Sequence, residues 1–137
     1  ILKTSTIGDT VEFLLPGMKI IVSAKNIELT PGLEQYIGEK INGLSKLVRL
    51  YEESGVAEAR VEVSKTSRHH KQGEVYYAEV NLKLPGSVLR AESTNLDMYS
   101  AIDEIKDELT RLIKAYKDRK SVQRRRGVRE LKEKRLG

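Results

Sequence analysis

The chain contains no cysteine. That removes thiolate metal ligands, thiol nucleophiles and thiol-based redox switching, and it agrees with a reducing cytosol. Histidine is limited to His69 and His70, which are adjacent and lack the i,i+4 helical spacing that sets two imidazoles on one metal. No apolar run approaches the roughly 20 residues needed to span a bilayer, so no membrane partner is expected. No Gly-x-Gly-x-x-Gly follows a strand, and neither a Walker-type phosphate loop nor a nucleophile elbow occurs. Nucleotide binding and nucleophilic catalysis therefore have no support in the sequence. Aromatic residues amount to 5% of the chain and fall mostly at core-facing or strand positions, which argues against a base-stacking platform of the single-strand-binding kind. The expectation is a protein that is not an enzyme and takes no cofactor, metal or small-molecule substrate.

What is present is charge. Of 137 residues, 33% are charged and 39% hydrophobic, a balance that suits one compact domain with charged appendages. The net charge of +5 is unevenly placed. From residue 106 to the end there are thirteen Lys and Arg against five Asp and Glu, giving +8, whereas the preceding part has twelve against fifteen, giving −3. An acidic-to-neutral scaffold with one strongly basic end favours a polyanionic partner held by phosphate contacts. The plain alternative is a solvated helix end followed by a disordered tail.

The hydrophobic pattern predicts an α+β fold. Met18 to Ala24 reads as a short buried strand. Thr30 can cap a helix that Pro31 opens, with Leu33, Ile37, Ile41, Leu44 and Val48 at helical spacing. Gly38 and Gly43 weaken this helix, either to let it approach the sheet or as a simple lapse in propensity. Val56 to Ser64 alternates as a half-buried strand, Tyr76 to Leu84 repeats the alternation, Pro85-Gly86 turns the chain, and Val88 to Glu92 returns. A long helix opened by Thr94 or Asn95 follows, its apolar stripe running from Met98 through Ile102, Ile105, Leu109, Leu112 and Ile113 to Tyr116. The predicted order is β-α-β-β-β-α, a four-stranded sheet with both helices side by side on one face. Residues 1–17, which carry Asp9 and Glu12 and do not resemble a signal peptide, are expected to be a leader or an atypical extension, because Met18 reads as a natural start. Residues 18–120 are the expected domain. Residues 121–137 form a basic tail, disordered or continuing as frayed helix from Arg124-Arg125-Arg126-Gly127.

Charges on the last helix follow its dipole, with Asp97, Asp103, Glu104, Asp107 and Glu108 early and Arg111, Lys114, Lys117, Arg119 and Lys120 late. The carboxylates are better explained in this way than as an acid/base pair. Tyr99 is expected to close the core edge with its hydroxyl in water. Arg111, Lys114 and Lys117 recur every three residues, so their side chains drift slowly around one exposed side over roughly 9 Å of helix, a row that can follow RNA phosphates. Lys40 and Lys46 on the first helix join the same surface. The loop carrying Arg68, His69, His70 and Lys71 is either simply exposed or a further RNA contact.

Two stretches carry a family resemblance. Met18-Lys19-Ile20-Ile21-Val22-Ser23-Ala24-Lys25-Asn26-Ile27-Glu28-Leu29-Thr30-Pro31 resembles the opening of the ribosome hibernation-promoting and ribosome-associated inhibitor family. Asp97-Met98-Tyr99-Ser100-Ala101-Ile102-Asp103, followed by Leu109 and Arg111, resembles that family's signature at the start of its second helix. The resemblance covers about Met18 to Lys120. It implies a β-α-β-β-β-α domain in the cytoplasm that sits in the small ribosomal subunit's channel for messenger RNA and transfer RNA. There it would contact ribosomal RNA through Lys40, Lys46, Arg111, Lys114 and Lys117 and inhibit translation by steric competition. Glu108 and Ala115 depart from commonly basic positions, a loss that Arg119, Lys120 and Arg124 to Arg126 can offset. The tail is too short for the extra domain that pairs ribosomes in long family members. Two other readings compete: a generic double-stranded RNA binder, and a protein-interaction regulator of transcription.

Overall fold

A computed structural model describes residues 2–15, 17–49, 57–66 and 75–136. Its sheet has six strands rather than the expected four, in spatial order equal to chain order: β1 (Leu2–Ile7), β2 (Thr10–Leu15), β3 (Met18–Lys25), β4 (Ala57–Thr66), β5 (Val75–Leu84) and β6 (Ser87–Asn95). Helix α1 (Pro31–Arg49) connects β3 to its parallel neighbour β4, and α2 (Met98–Leu136) closes the chain. All other neighbouring strands are antiparallel.

The two additional strands come from residues expected as a leader. Their pattern is a strand pattern: Val11, Phe13 and Leu15 alternate with Thr10, Glu12 and Leu14, and the first three are buried. Gly8 turns β1 into β2 at a φ of +57° and Gly17 turns β2 into β3 at +77°, a left-handed region that glycine enters without steric cost. A side chain at Gly17 would also press on Arg49, whose Cγ lies 3.0 Å from the Cβ position.

The same alternation repeats across the sheet. Ile20, Val22, Val61, Val63, Ala78, Val80, Leu82, Leu89 and Ala91 point into one core. The helices supply Leu33, Ile37, Ile41, Leu44, Ile102, Ile105, Leu109 and Ile113 from above, so both cover the same face. Thr30 caps α1, its hydroxyl accepting the Leu33 amide at 3.2 Å. The long helix starts later than expected. Thr94 and Asn95 still belong to β6, paired with Tyr77 and Tyr76, and Asp97 is the cap, its carboxylate accepting the Ser100 amide at 3.1 Å. Tyr116 is the last buried residue of α2 and donates its hydroxyl to the Pro85 carbonyl at 2.9 Å. Beyond it α2 continues to Leu136 as helix, which selects the helical of the two readings of the tail.

Candidate nucleic-acid interface

The two helices run parallel and in contact. Tyr36 meets Tyr99 edge-on with ring centroids 4.8 Å apart. Its hydroxyl donates to Asp103, Lys40 reaches the same Asp103 oxygen at 3.2 Å, and Gly43 faces Lys106, whose Nζ is 3.7 Å from the position a Cβ would take. Gly43 thus makes room for a lysine of the neighbouring helix rather than for the sheet. Tyr99, 42% exposed, sits at the core edge as expected.

This seam sets the charge of the outer surface. Asp103 is held below the usual carboxylate range chiefly by the Tyr36 hydroxyl, then by Lys40 and Lys106. Lys40 is raised by its bond to Asp103, and the Tyr36 hydroxyl is raised for the same reason. Lys40 is therefore fully charged but already engaged by Asp103, so its field toward a partner is partly offset by that carboxylate. Arg111 is likewise paired: its Nη2 and Nε donate to the two Glu108 oxygens at 2.6 and 3.1 Å. Glu108 acts here as a clamp on Arg111, one turn further along the helix.

At 100° per residue, Arg111, Lys114 and Lys117 step around α2 by about −60° each. Arg111 lies on the β6 flank, where nearby Glu104 accepts from Ser93 and Asn95. Lys114 points outward and is exposed, and Lys117 lies on the α1 side. The three form a diagonal rather than a row. Lys106 completes the α1 side, about 20° from Lys117 around the helix. It was not among the predicted contacts, although its eleven-residue spacing from Lys117 was available in the sequence. Lys46 and Arg119 are exposed, Lys120 lies over the Tyr116 ring at 5.1 Å, and Arg124 is exposed on the projecting part of α2. Arg68, His69, His70 and Lys71 lie outside the described residues.

The opposite, uncovered face of the sheet has another character. Glu62, Glu79 and Glu92 stand side by side across β4, β5 and β6. Tyr77 donates to Glu79 and Glu92 at 2.8 and 2.9 Å, and Arg90 bridges the same two carboxylates at 3.4 and 3.2 Å. Desolvation, together with those carboxylates, pushes the Tyr77 hydroxyl up to about 12. Arg90 offsets part of this negative charge, and Lys19, Lys25, Arg60 and Lys83 also stand on this face, so it carries both signs, whereas the late part of α2 is predominantly basic.

Residues 20–121 match the family described as sigma 54 modulation protein / S30EA ribosomal protein. The chain belongs to this family. Among its relatives, the ribosome hibernation promotion factor of Deinococcus radiodurans is 34% identical over 106 residues, 77% of this chain and 52% of that protein. The ribosome hibernation promotion factor of Bacillus subtilis is 34% identical over 100 residues, 73% of this chain and 49% of that one. The chain thus spans about half the length of these relatives. Among solved structures, the N-terminal domain of Thermus thermophilus Protein Y aligns with a TM-score of 0.55 at 27% identity, covering 71% of this chain and 93% of that domain. A ribosomal subunit interface protein from Coxiella burnetii shares the fold, with a TM-score of 0.54 at 20% identity. The family region takes in the sheet from Ile20 onward, α1 and the packed part of α2. Strands β1 and β2 and nearly all of the projecting helix lie outside it.

Asp103 gives a pH prediction for this family member. Its folded pKa lies below the ordinary 3.8, so its contribution to stability is complete where both states are ionised and is lost as pH falls through 3.8 toward the lower folded value. Urea midpoints measured between pH 7 and pH 3 should therefore fall less steeply in Asp103→Asn than in the wild type. Parallel curves would show that the Tyr36–Asp103–Lys40 contact does not persist in solution.

Among the described residues no group of three or more His, Cys, Asp or Glu side chains is arranged to hold a metal ion, and no helix is long and apolar enough to cross a membrane.

Proposed function

We propose that this protein is a ribosome-associated hibernation factor that binds the small subunit through ribosomal RNA. On this reading it inhibits translation by occupying the channel of messenger RNA and transfer RNA. One observation carries the proposal: in a chain that matches the family over residues 20–121, the parallel helices bring Lys46, Lys106, Lys114 and Lys117 to one outer surface, while the acidic row lies on the far side of the sheet. Such a surface suits the phosphate backbone, and among the described residues no element is shaped to read base edges, so on this reading recognition is by shape and charge. The mechanism requires no bond to be made or broken. The bound domain fills space that messenger and transfer RNA need, and the cytoplasm is where it meets ribosomes.

The test is cosedimentation with purified small subunits over a salt series. Four phosphate contacts correspond to a slope of about −3.6 in log K against log salt, or a loss on the order of 10²-fold between 50 and 200 mM. Messenger RNA with transfer RNA should displace the bound protein. Binding that resists both competitors would move the site out of the channel. Equal affinity for a free RNA duplex would replace this reading with generic duplex binding.

A further inference from the structure

Helix α2 does not end where the domain ends. From Val122 to Lys134 every residue is exposed, so this part of the helix projects beyond the sheet by about 1.5 Å per residue. Between residues 121 and 136 it carries seven Lys and Arg against two Glu, a net +5 in sixteen residues. Its cations keep register with those of the domain. Lys106, Lys117 and Arg124 follow at intervals of eleven and seven residues and fall within about 20° of one another around the helix. Lys114, Arg125 and Lys132 follow at the same intervals and make a second row about 80° away. Two parallel rows therefore begin on the domain and run without a break onto the projection, over about 39 Å from Lys106 to Lys132.

We infer that the projecting half of α2 is a second RNA-binding element, an arm that takes the phosphate backbone of an RNA segment lying beyond the footprint of the folded domain. The inference rests on the reading of the helix surface as an RNA face, and it concerns residues that the family match, ending at 121, does not include. Charge complementarity selects the occupant. Val122, Val128 and Leu131, the exposed apolar residues of the arm, spread over about 180° of the helix and provide no single apolar face for lipid or for a coiled-coil partner. Arg124, Arg125, Arg126 and Arg129 present planar forks suited to phosphate oxygens.

The arm is also built to respond to its ligand. It propagates from a helix already anchored by Tyr116, so no nucleation cost applies. Adjacent like charges and Gly127, which has open space where a Cβ would go, are the points at which this helix is least stable. Neutralisation by phosphates relieves the repulsion and firms the helix.

The test uses the full chain. Wild type and the triple variant Arg124→Gln, Arg125→Gln, Lys132→Gln are compared for binding to purified small subunits, and separately to a 20-base-pair RNA duplex, over a salt series. The expected result is a slope shallower by about 2 to 3 for the variant and affinity at least about tenfold lower at 50 mM salt. Amide exchange over residues 121–136 should slow on binding. Gly127→Ala should tighten binding about threefold to fivefold by preforming the helix. Identical slopes for variant and wild type on both RNAs would overturn the arm and leave the domain reading intact. Loss of subunit binding by the wild type, with arm-dependent duplex binding retained, would do the reverse. Competition by poly(L-glutamate) equal to that of RNA at matched charge would assign the arm to an acidic protein and overturn the inference.

Discussion

Phe13→Ala should lower stability by about 3 kcal/mol or more, read as a fall in the urea midpoint at unchanged slope. Phe13 is 5% exposed. Its strand β2 pairs residue for residue with β3, Phe13 opposite Ile20, and its side chain lines a groove beside Pro31, Glu34, Gln35 and Gly38 of α1. Strand β2 is therefore part of the floor on which α1 rests. Removing the ring leaves a space that α1 cannot fill, because its inner face is fixed by Ile37 and Ile41, both almost fully buried. A cost below about 1 kcal/mol would mean that the first hairpin is loosely attached and that the family region folds without it.

In the first hairpin a strand signal competes with an apparent chain start at Met18. Strands β3 to β6 and the inner faces of both helices follow from period-2 and period-3.6 patterns, because residues such as Val61, Val63, Ile105 and Leu109 have no other place to go. Strand β2 has the same signal in Val11, Phe13 and Leu15, flanked by Gly8 and Gly17. Met18, which reads as a natural start, masks it. The start of α2 was misplaced for a physical reason: Asn95 and Asp97 are both good caps, and only the pairing of Asn95 with Tyr76 decides that β6 is still running there.

The site was legible in part. Arg111 and Glu108 stand at i and i−3, so their ion pair was available from spacing alone. The pairing of Lys40 with Asp103 was not, since it depends on which turn of α1 meets which turn of α2, a matter of tertiary packing. The three-residue spacing of Arg111, Lys114 and Lys117 leaves out Lys106, which shares the α1 side of α2 with Lys117. The sequence puts cations on both helices, and the structure shows Lys40 paired with Asp103 and Arg111 with Glu108.

The largest effect expected on binding falls on three lysines of α2. Lys106→Glu, Lys114→Glu and Lys117→Glu together should weaken association with small subunits by on the order of 10³-fold at 100 mM salt, because three phosphate contacts are lost and three repulsions take their place. Arg111→Glu alone should cost much less than a third of that effect on a logarithmic scale, since Glu108 already engages its guanidinium. The three lysines contribute nothing to the buried core, so the variant should keep its fold. A parallel Lys→Gln triple, lacking the added negative charge, controls for local repulsion between a Glu at 106 and Asp103. Ordering the three proteins by charge should order their affinities, with the Gln variant between wild type and Glu variant. A Glu triple that binds like wild type while remaining folded would place the RNA on another surface, with the projecting arm, net +5 over residues 121–136, as the most basic segment to test next.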